Sequence, residues 1–181
     1  MATQGPNGGT GSGVGWTGPT NIATTNAVYA TQSVAALNNS TDLSTSTLGF
    51  SIPAGATING IQVDVVRHAS AVTSLDFADT IGSGLPRVSI SKVAGTRTGT
   101  PKTEGTQWGT TDATTTFGSG ADLWGTTWTS TEINATGFGA VISCENTNGA
   151  LARTASIDSI LITVTYTPAA VSNTAQMFNI F

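Results

Sequence analysis

Two segments of alternating side chains constrain the fold of this 181-residue chain more than any other feature. They run from Thr57 to Arg67 and from Ser159 to Thr167. A period of two places successive side chains on opposite faces of a β-strand, so each segment predicts a strand with one buried face. Pro168 is expected to end the second strand, because proline cannot donate a hydrogen bond to a neighbouring strand.

The rest of the chain shows weaker versions of this pattern. Thr, Gly and Ser fill 73 of the 181 positions, and the frequent Thr, Val and Ile residues favour strands. Only the segment from Ser33 to Leu37 could form a helical turn. We therefore predict an all-β fold, an antiparallel β-sandwich of jelly-roll type. The weaker strands are expected at residues 27–31, 47–52, 87–93, 114–117 and 137–144.

The composition divides the chain into three regions. Residues 1–15 contain six Gly and one Pro, and a segment with so few apolar side chains predicts a flexible arm. The sandwich is expected over residues 16–168.

Residues 169–181 form a C-terminal tail with four large apolar residues among its last five. Such side chains are costly to leave in water, so we expect the tail to dock on its own domain or on a neighbouring subunit. The neighbour is favoured, because the strand pattern of the sandwich ends at Pro168. The predicted interface residues are Met177, Phe178, Ile180 and Phe181.

Charge and hydropathy exclude several classes of partner. The net charge is −4, and only six Lys and Arg residues are scattered along the chain. This argues against nucleic acid and against an anionic membrane surface as partners. No apolar run is long enough to span a bilayer, and the N-terminus lacks the pattern of a secretory signal peptide. The protein is therefore expected to be made and assembled in the cytoplasm.

Residues for acid–base or metal chemistry are sparse. His68 is the only candidate base, and it lies on the polar face of its strand, where we expect it to be solvated. Cys144 continues the apolar alternation before it, so it is expected to be a buried residue. One Cys and one His cannot complete a four-ligand zinc site.

The acidic residues form no clear site either. Asp76 and Asp79 could supply oxygens to calcium, but the regular ligand spacing of a calcium loop is missing. Asp112 and Asp122 are the other pair that lies close in sequence. We predict no catalytic, cofactor-binding or metal-binding residue, and hence a protein that is not an enzyme.

Three tryptophans lie in the long segment between Lys102 and Phe138. Trp108, Trp124 and Trp128 have two interpretations. The favoured one is that they cover an open end of the sandwich. The alternative is that they contact a glycan or a protein partner, because Trp offers a large and partly polar surface.

An ordered set of motifs runs through residues 16–168. The motifs are Trp16-Thr17-Gly18-Pro19, residues 48–56, residues 58–65, Asp122-Leu123-Trp124-Gly125, residues 138–141 and residues 157–166. This set resembles a known group of proteins, the small jelly-roll-like β-sandwich proteins carried on the virions of tailed bacteriophages. The resemblance implies structural roles such as capsid decoration, head fibre or tail attachment, and it implies no active-site residues.

Two functional hypotheses follow from the residues and the resemblance. The first is a virion structural protein, an accessory capsid decoration (cement) protein that binds the assembled shell as a homo-oligomer such as a trimer. Its partners would be itself and the major capsid protein or other virion proteins, with no cofactor. The second is a tail-fibre adhesin domain that recognises host glycans through the three tryptophans. A weaker third hypothesis is a carbohydrate-active enzyme that uses Asp112 or Asp122.

Overall fold

Strands are the main secondary structure of the protein. The computed structural model describes residues 1–72, 74–85 and 87–170. Within these residues the strands, in chain order, are β1 (Ala2–Gly8), β2 (Thr10–Ser12), β3 (Ala30–Val34), β4 (Asn38–Asn39), β5 (Leu43–Ser46), β6 (Thr57–Ala69), β7 (Leu75–Asp76), β8 (Val88–Val93), β9 (Thr96–Lys102), β10 (Ala113–Ser119), β11 (Gly139–Ile142), β12 (Glu145–Asn146) and β13 (Arg153–Thr167). A 3-10 helix (Pro19–Ala23) and one α-helix, α1 (Ser130–Asn134), complete the described elements.

The strands form two five-stranded sheets and a small third sheet. The first sheet has the order β1-β13-β6-β10, and β3 pairs with the early part of β13. The second sheet has the order β2-β5-β11-β8-β9, and the small sheet has the order β4-β12-β7. All of these pairs are antiparallel. The predicted all-β, jelly-roll-like sandwich is confirmed.

The core lies between the two large sheets and follows the alternation in the sequence. The inward-facing residues of β6 and β13 are completely buried and belong to one contiguous apolar cluster. Each large aliphatic side chain buried in this way contributes about 1.5–3 kcal/mol to folding. The central members of the cluster are Ile61, Val63, Val65, Ile160, Ile162 and Val164, with Leu43, Ile90 and Ile142 from the second sheet.

The glycine-rich N-terminus is not a flexible arm, and this corrects the sequence prediction. Residues 2–8 form β1, which pairs with β13, and residues 10–12 form β2, which pairs with β5. Gly8 and Gly11 lie against the 3-10 helix, where an added Cβ would come within 1.8 Å of a backbone carbonyl oxygen. The glycines are therefore contact residues, because only a residue without a side chain fits there.

Two local predictions are wrong. Residues 33–37 form no helical turn, because β3 extends to Val34. Residues 47–52 are not a strand, since the strand in this region is β5, which ends at Ser46. The backbone of Ile52 instead bonds to the side chain of Asn134, which accepts from the Ile52 N–H at 2.8 Å and donates to its carbonyl at 2.9 Å.

The α1 helix was missed because it is short, although its start has a recognisable sequence. The Thr129 hydroxyl accepts from the Glu132 N–H, while the Glu132 carboxylate accepts from the Thr129 N–H. This capping box satisfies backbone donors at the first turn. Among the described residues, no helix has the length and apolar character that a bilayer crossing requires.

A single added methyl group tests whether the N-terminal residues belong to the fold. We expect Gly11→Ala to lower the free energy of unfolding by about 1–3 kcal/mol, because the new Cβ has no room. Gly149→Ala is the control, since nothing lies within 4 Å of its added Cβ. Chemical denaturation of both variants provides the measurement, and equal stability of the two would show that residues 10–12 are not packed.

Candidate functional site

All three candidate tryptophans are part of the core. Trp108, Trp124 and Trp128 expose 1%, 0% and 7% of their surface. The indole N–H of Trp124 donates to the Ile61 carbonyl at 2.9 Å, and that of Trp128 donates to the Leu123 carbonyl at 3.0 Å. A glycan stacks on an exposed ring face, so the interpretation of these residues as a glycan contact is corrected.

Lysine side chains cover two of these rings. The Lys102 ammonium lies 4.8 Å from the centre of the Trp124 ring, and the Lys92 ammonium lies 4.9 Å from that of Trp128. Each lysine also pairs with an acid, Asp122 and Glu132 respectively. Asp122 therefore stabilises the loop around Trp124, and it is not placed as an acid–base pair with Asp112.

The predicted tail interface lies outside the described residues. Met177, Phe178, Ile180 and Phe181 are among residues 171–181, which the structure does not describe. The described chain ends at Ala170, three residues beyond β13.

Asp76 and Asp79 belong to a buried ion network around Arg87. The Arg87 guanidinium is completely buried and donates to Asp79 and to Glu145, both at 2.8 Å. It also donates to the Asn39 side chain at 2.7 Å and to the Ala78 carbonyl. The cation that faces these carboxylates is thus an arginine, which replaces the calcium alternative. No group of three potential metal ligands was found among residues 1–72, 74–85 and 87–170.

The network also shifts the proton affinity of its acids. The pKa of Asp76 is raised to about 6, chiefly by burial and also by the nearby Glu145 carboxylate, while the bond from the Ala78 N–H and the charge of Arg87 oppose the rise. The pKa of Asp79 is lowered, chiefly because its carboxylate accepts from the Ser83 hydroxyl and from backbone N–H groups. These bonds hold the loop between β7 and β8 against the small sheet, so the network has a structural role.

The Asp76 shift predicts how stability depends on pH. A carboxyl group with a raised pKa in the folded state favours folding below its unfolded pKa, and this contribution is lost as the pH rises through about 6. Asp76→Asn removes the titration and keeps an oxygen that can accept from the Ala78 N–H at 2.9 Å. We expect the melting temperature of the wild type to fall between pH 4.5 and 7.5 and that of Asp76→Asn to stay nearly constant.

Asp64→Asn is the control for this measurement, because Asp64 lies on the half-exposed outer face of β6. It should keep the decline of the wild type with rising pH. A decline of equal size in Asp76→Asn would contradict the assignment to Asp76.

A half-exposed cluster on the outer face of the first sheet contains the single histidine. His68 Nδ1 lies 2.7 Å from Asp112 Oδ1, and the Tyr29 hydroxyl donates to Asp112 Oδ2 at 2.9 Å. The Tyr29 and His68 rings meet edge to face, with centroids 4.7 Å apart. The bond to Asp112 raises the pKa of the Tyr29 hydroxyl above its ordinary value. This Tyr29 cluster can bind a polar ligand through hydrogen bonds beside an aromatic ring.

The cysteine does not join this cluster. Cys144 follows β11 in the second sheet and is buried, and its backbone N–H donates to the Ser40 hydroxyl. Burial raises the pKa of the Cys144 thiol to about 12, so almost none of it is thiolate at neutral pH. Sequence reasoning correctly placed this residue in the core.

Three exposed aliphatic residues lie on neighbouring loops at one end of the sandwich. Leu37, Val72 and Leu151 expose 58%, 58% and 56% of their surface, and we call them the apolar tip. The Leu37 N–H donates to the Asn148 carbonyl, and the Thr147 N–H donates to the Ser74 carbonyl. The buried Asn146 amide donates to the carbonyls of Ala35 and Leu151. The three loops are thus bonded together at this end of the sandwich.

Leu37 has a second unusual property. Its φ of 49° lies in the left-handed region, which is unfavourable for a residue with a large side chain. An unfavourable backbone conformation and a largely exposed leucine thus coincide at this position. This combination marks the apolar tip as a candidate contact surface.

Two surface grooves complete the set of candidate sites. One, of about 600 Å³, is lined by residues 6–8, 23–25, 48 and 161. The other, of about 570 Å³, is lined by residues 55–58, 123 and 127–131. Neither lining contains an ionisable side chain, so neither groove presents an acid or base to a substrate.

Comparisons with known proteins give no family. No protein-family model matches the sequence, and no curated protein matches it. Among solved structures, a CBM4 module is 13% identical, with 84% of this chain and 92% of that chain covered and a TM-score of 0.46. The CBM22-1 xylan-binding domain from Paenibacillus barcinonensis Xyn10C is 12% identical, with 93% and 95% covered and a TM-score of 0.39. These distant likenesses leave the ligand of this chain open.

Proposed function

We propose that this chain is a non-enzymatic structural protein of a bacteriophage virion, an accessory capsid decoration protein that binds the assembled shell through the apolar tip. The motif set that resembles phage virion sandwiches supports the virion as its location, with assembly in the host cytoplasm. The apolar tip carries the proposal, because it supplies a surface suited to a protein partner.

The chemistry of the described residues favours binding over catalysis. The acids that could have acted in pairs are engaged with cations, as in the Arg87 network and the Asp122–Lys102 pair. Hydrolysis of a glycoside needs two carboxyl groups that face each other across the substrate. Asp112 is instead bonded to His68 and Tyr29.

A small apolar surface is adequate for binding to a repeating shell. The three side chains of the apolar tip are too few for a tight contact between two single copies. A homo-oligomer, such as a trimer, would present several tips to a lattice at once, and such multivalent binding multiplies weak contacts. Sedimentation equilibrium of the purified protein measures whether this oligomer forms.

Charged substitutions in the apolar tip test the proposal. The double variant Leu37→Asp, Leu151→Asp is compared with Val93→Asp, since Val93 is 64% exposed at the end of β8. Asp tolerates the left-handed conformation of position 37 better than Leu does, so the fold should persist. Added to phage particles assembled without this chain, the double variant should bind at least about tenfold more weakly than the wild type.

Val93→Asp should co-sediment with the particles as the wild type does. Circular dichroism confirms that each variant is folded. Equal occupancy of particles by the double variant, or no binding by the wild type, would overturn the proposed function.

Glycan recognition is a second candidate, now located at the Tyr29 cluster. The cluster offers a half-exposed aromatic ring, a carboxylate and an imidazole within hydrogen-bond distance of one another. On the same face, Asp64 accepts from Gln62 at 2.9 Å and from Thr116 at 2.6 Å. Sugar hydroxyls could compete for these groups, as expected for an adhesin.

A glycan array and binding to host cells test this second candidate. Tyr29→Ala should reduce binding about tenfold or more if the cluster contacts a sugar. Thr98→Ala, in β9 of the opposite sheet, should bind as the wild type does. Absence of any glycan or cell binding by the wild type would remove this candidate.

A further inference from the structure

The chain leaves the sandwich beside the groove lined by residues 55–58, 123 and 127–131, which we call the exit groove. A Cβ added to Gly55 would lie 3.4 Å from the Cβ of Ala169. Ala169 therefore packs against the turn that forms one wall of the groove. The φ of 74° at Gly55 shapes this turn, and the Ala56 N–H closes it by donating to the Pro53 carbonyl.

The exit groove is uncharged, with an apolar floor. Ala56, Ile58, Leu123 and Trp128 contribute the apolar surface, and hydroxyl side chains from residues 127–131 form the rim. The indole N–H of Trp128 already donates to the Leu123 carbonyl and the Lys92 ammonium lies over its ring, so Trp128 adds only its 7% exposed surface to the groove. A ligand for this groove should thus be apolar and uncharged.

We propose that the exit groove binds the segment Met177–Phe181 of the same chain. Residues 171–181 contain no ionisable side chain, and four of the last five are large and apolar. This chemistry matches the groove, because no charged side chain of either would be buried without a partner. The segment would cover the apolar floor and remove its own side chains from water.

The length of the segment favours its own exit groove over the apolar tip. Fully extended, the 11 residues after Ala170 reach at most about 37 Å. The apolar tip lies at the start of β13, whose 15 residues span about 46 Å. The groove, in contrast, lies beside the exit point. A tethered segment has a millimolar effective concentration there, which favours it over a segment from another copy.

A spin label in the segment measures where it lies. Gln176→Cys introduces a reactive thiol, whereas Cys144 is buried and its thiol has a pKa of about 12. A nitroxide on position 176 should broaden the amide NMR signals of Leu123 and residues 127–131. The signals of Leu37 and Leu151 should keep their intensity.

Charged substitutions outside the sandwich supply the matched controls. Phe178→Asp with Phe181→Asp should abolish the broadening, and Ser172→Asp with Asn173→Asp, of equal charge, should preserve it. Both pairs lie outside the described residues, so neither changes a described strand. Persistent broadening in the Phe variant would overturn the proposal.

A mixed sample shows whether the segment comes from the same chain or from a second copy. It contains isotope-labelled protein without nitroxide and unlabelled protein with nitroxide, so any broadening must arise between two copies. Broadening at the groove in the single-species sample and its absence from the mixture support binding within one chain. Broadening in the mixture would assign the segment to a second copy and overturn the proposal. Unchanged signals from residues 127–131 in both samples would overturn it as well.

Discussion

The fold depends on the long antiparallel pair of β6 and β13. Their pairing runs from Ala69 opposite Ala155 to Thr57 opposite Thr167, with two register shifts along β13. β10 adds to the free side of β6, while β1 and β3 share the free side of β13. The inner face of this pair supplies the centre of the core. A slip of one residue would turn every apolar side chain outwards, so the core fixes the register.

The same pair separates the candidate sites in space. The loops of the apolar tip follow the end of β6 and precede the start of β13, whereas the exit groove lies where β6 begins and β13 ends. The outer face between them carries the Tyr29 cluster. One end can therefore contact a partner while the chain segment binds at the other, because the central strands hold the two ends about 46 Å apart.

Sequence patterns predicted what depends on local periodicity and missed what depends on distant contacts. The strands β6 and β13, the sandwich and the burial of Cys144 follow from alternation along one segment. The formation of β1 and β2 does not follow from local alternation, because it requires Gly8 and Gly11 to pack against the 3-10 helix. The tryptophans were ambiguous, since no local pattern shows that the indole N–H groups of Trp124 and Trp128 bond to the carbonyls of Ile61 and Leu123. One sequence signal could have pointed to Leu37 and Leu151 as exposed residues, because each is an isolated leucine in a loop rich in Asn, Ala and Gly.

The cations of the chain are engaged in contacts within the fold. Arg87, Lys92, Arg97 and Lys102 form ion pairs with acids of the same chain. Arg67 lies over the Trp108 ring, and Arg153 donates to Ser74. These six are all the Lys and Arg residues of the sequence. Long-range electrostatic attraction to a partner is thus weak, and binding should change little with salt. Short-range contacts, apolar at the tip or hydrogen-bonded at the Tyr29 cluster, are the means of recognition that the described residues offer.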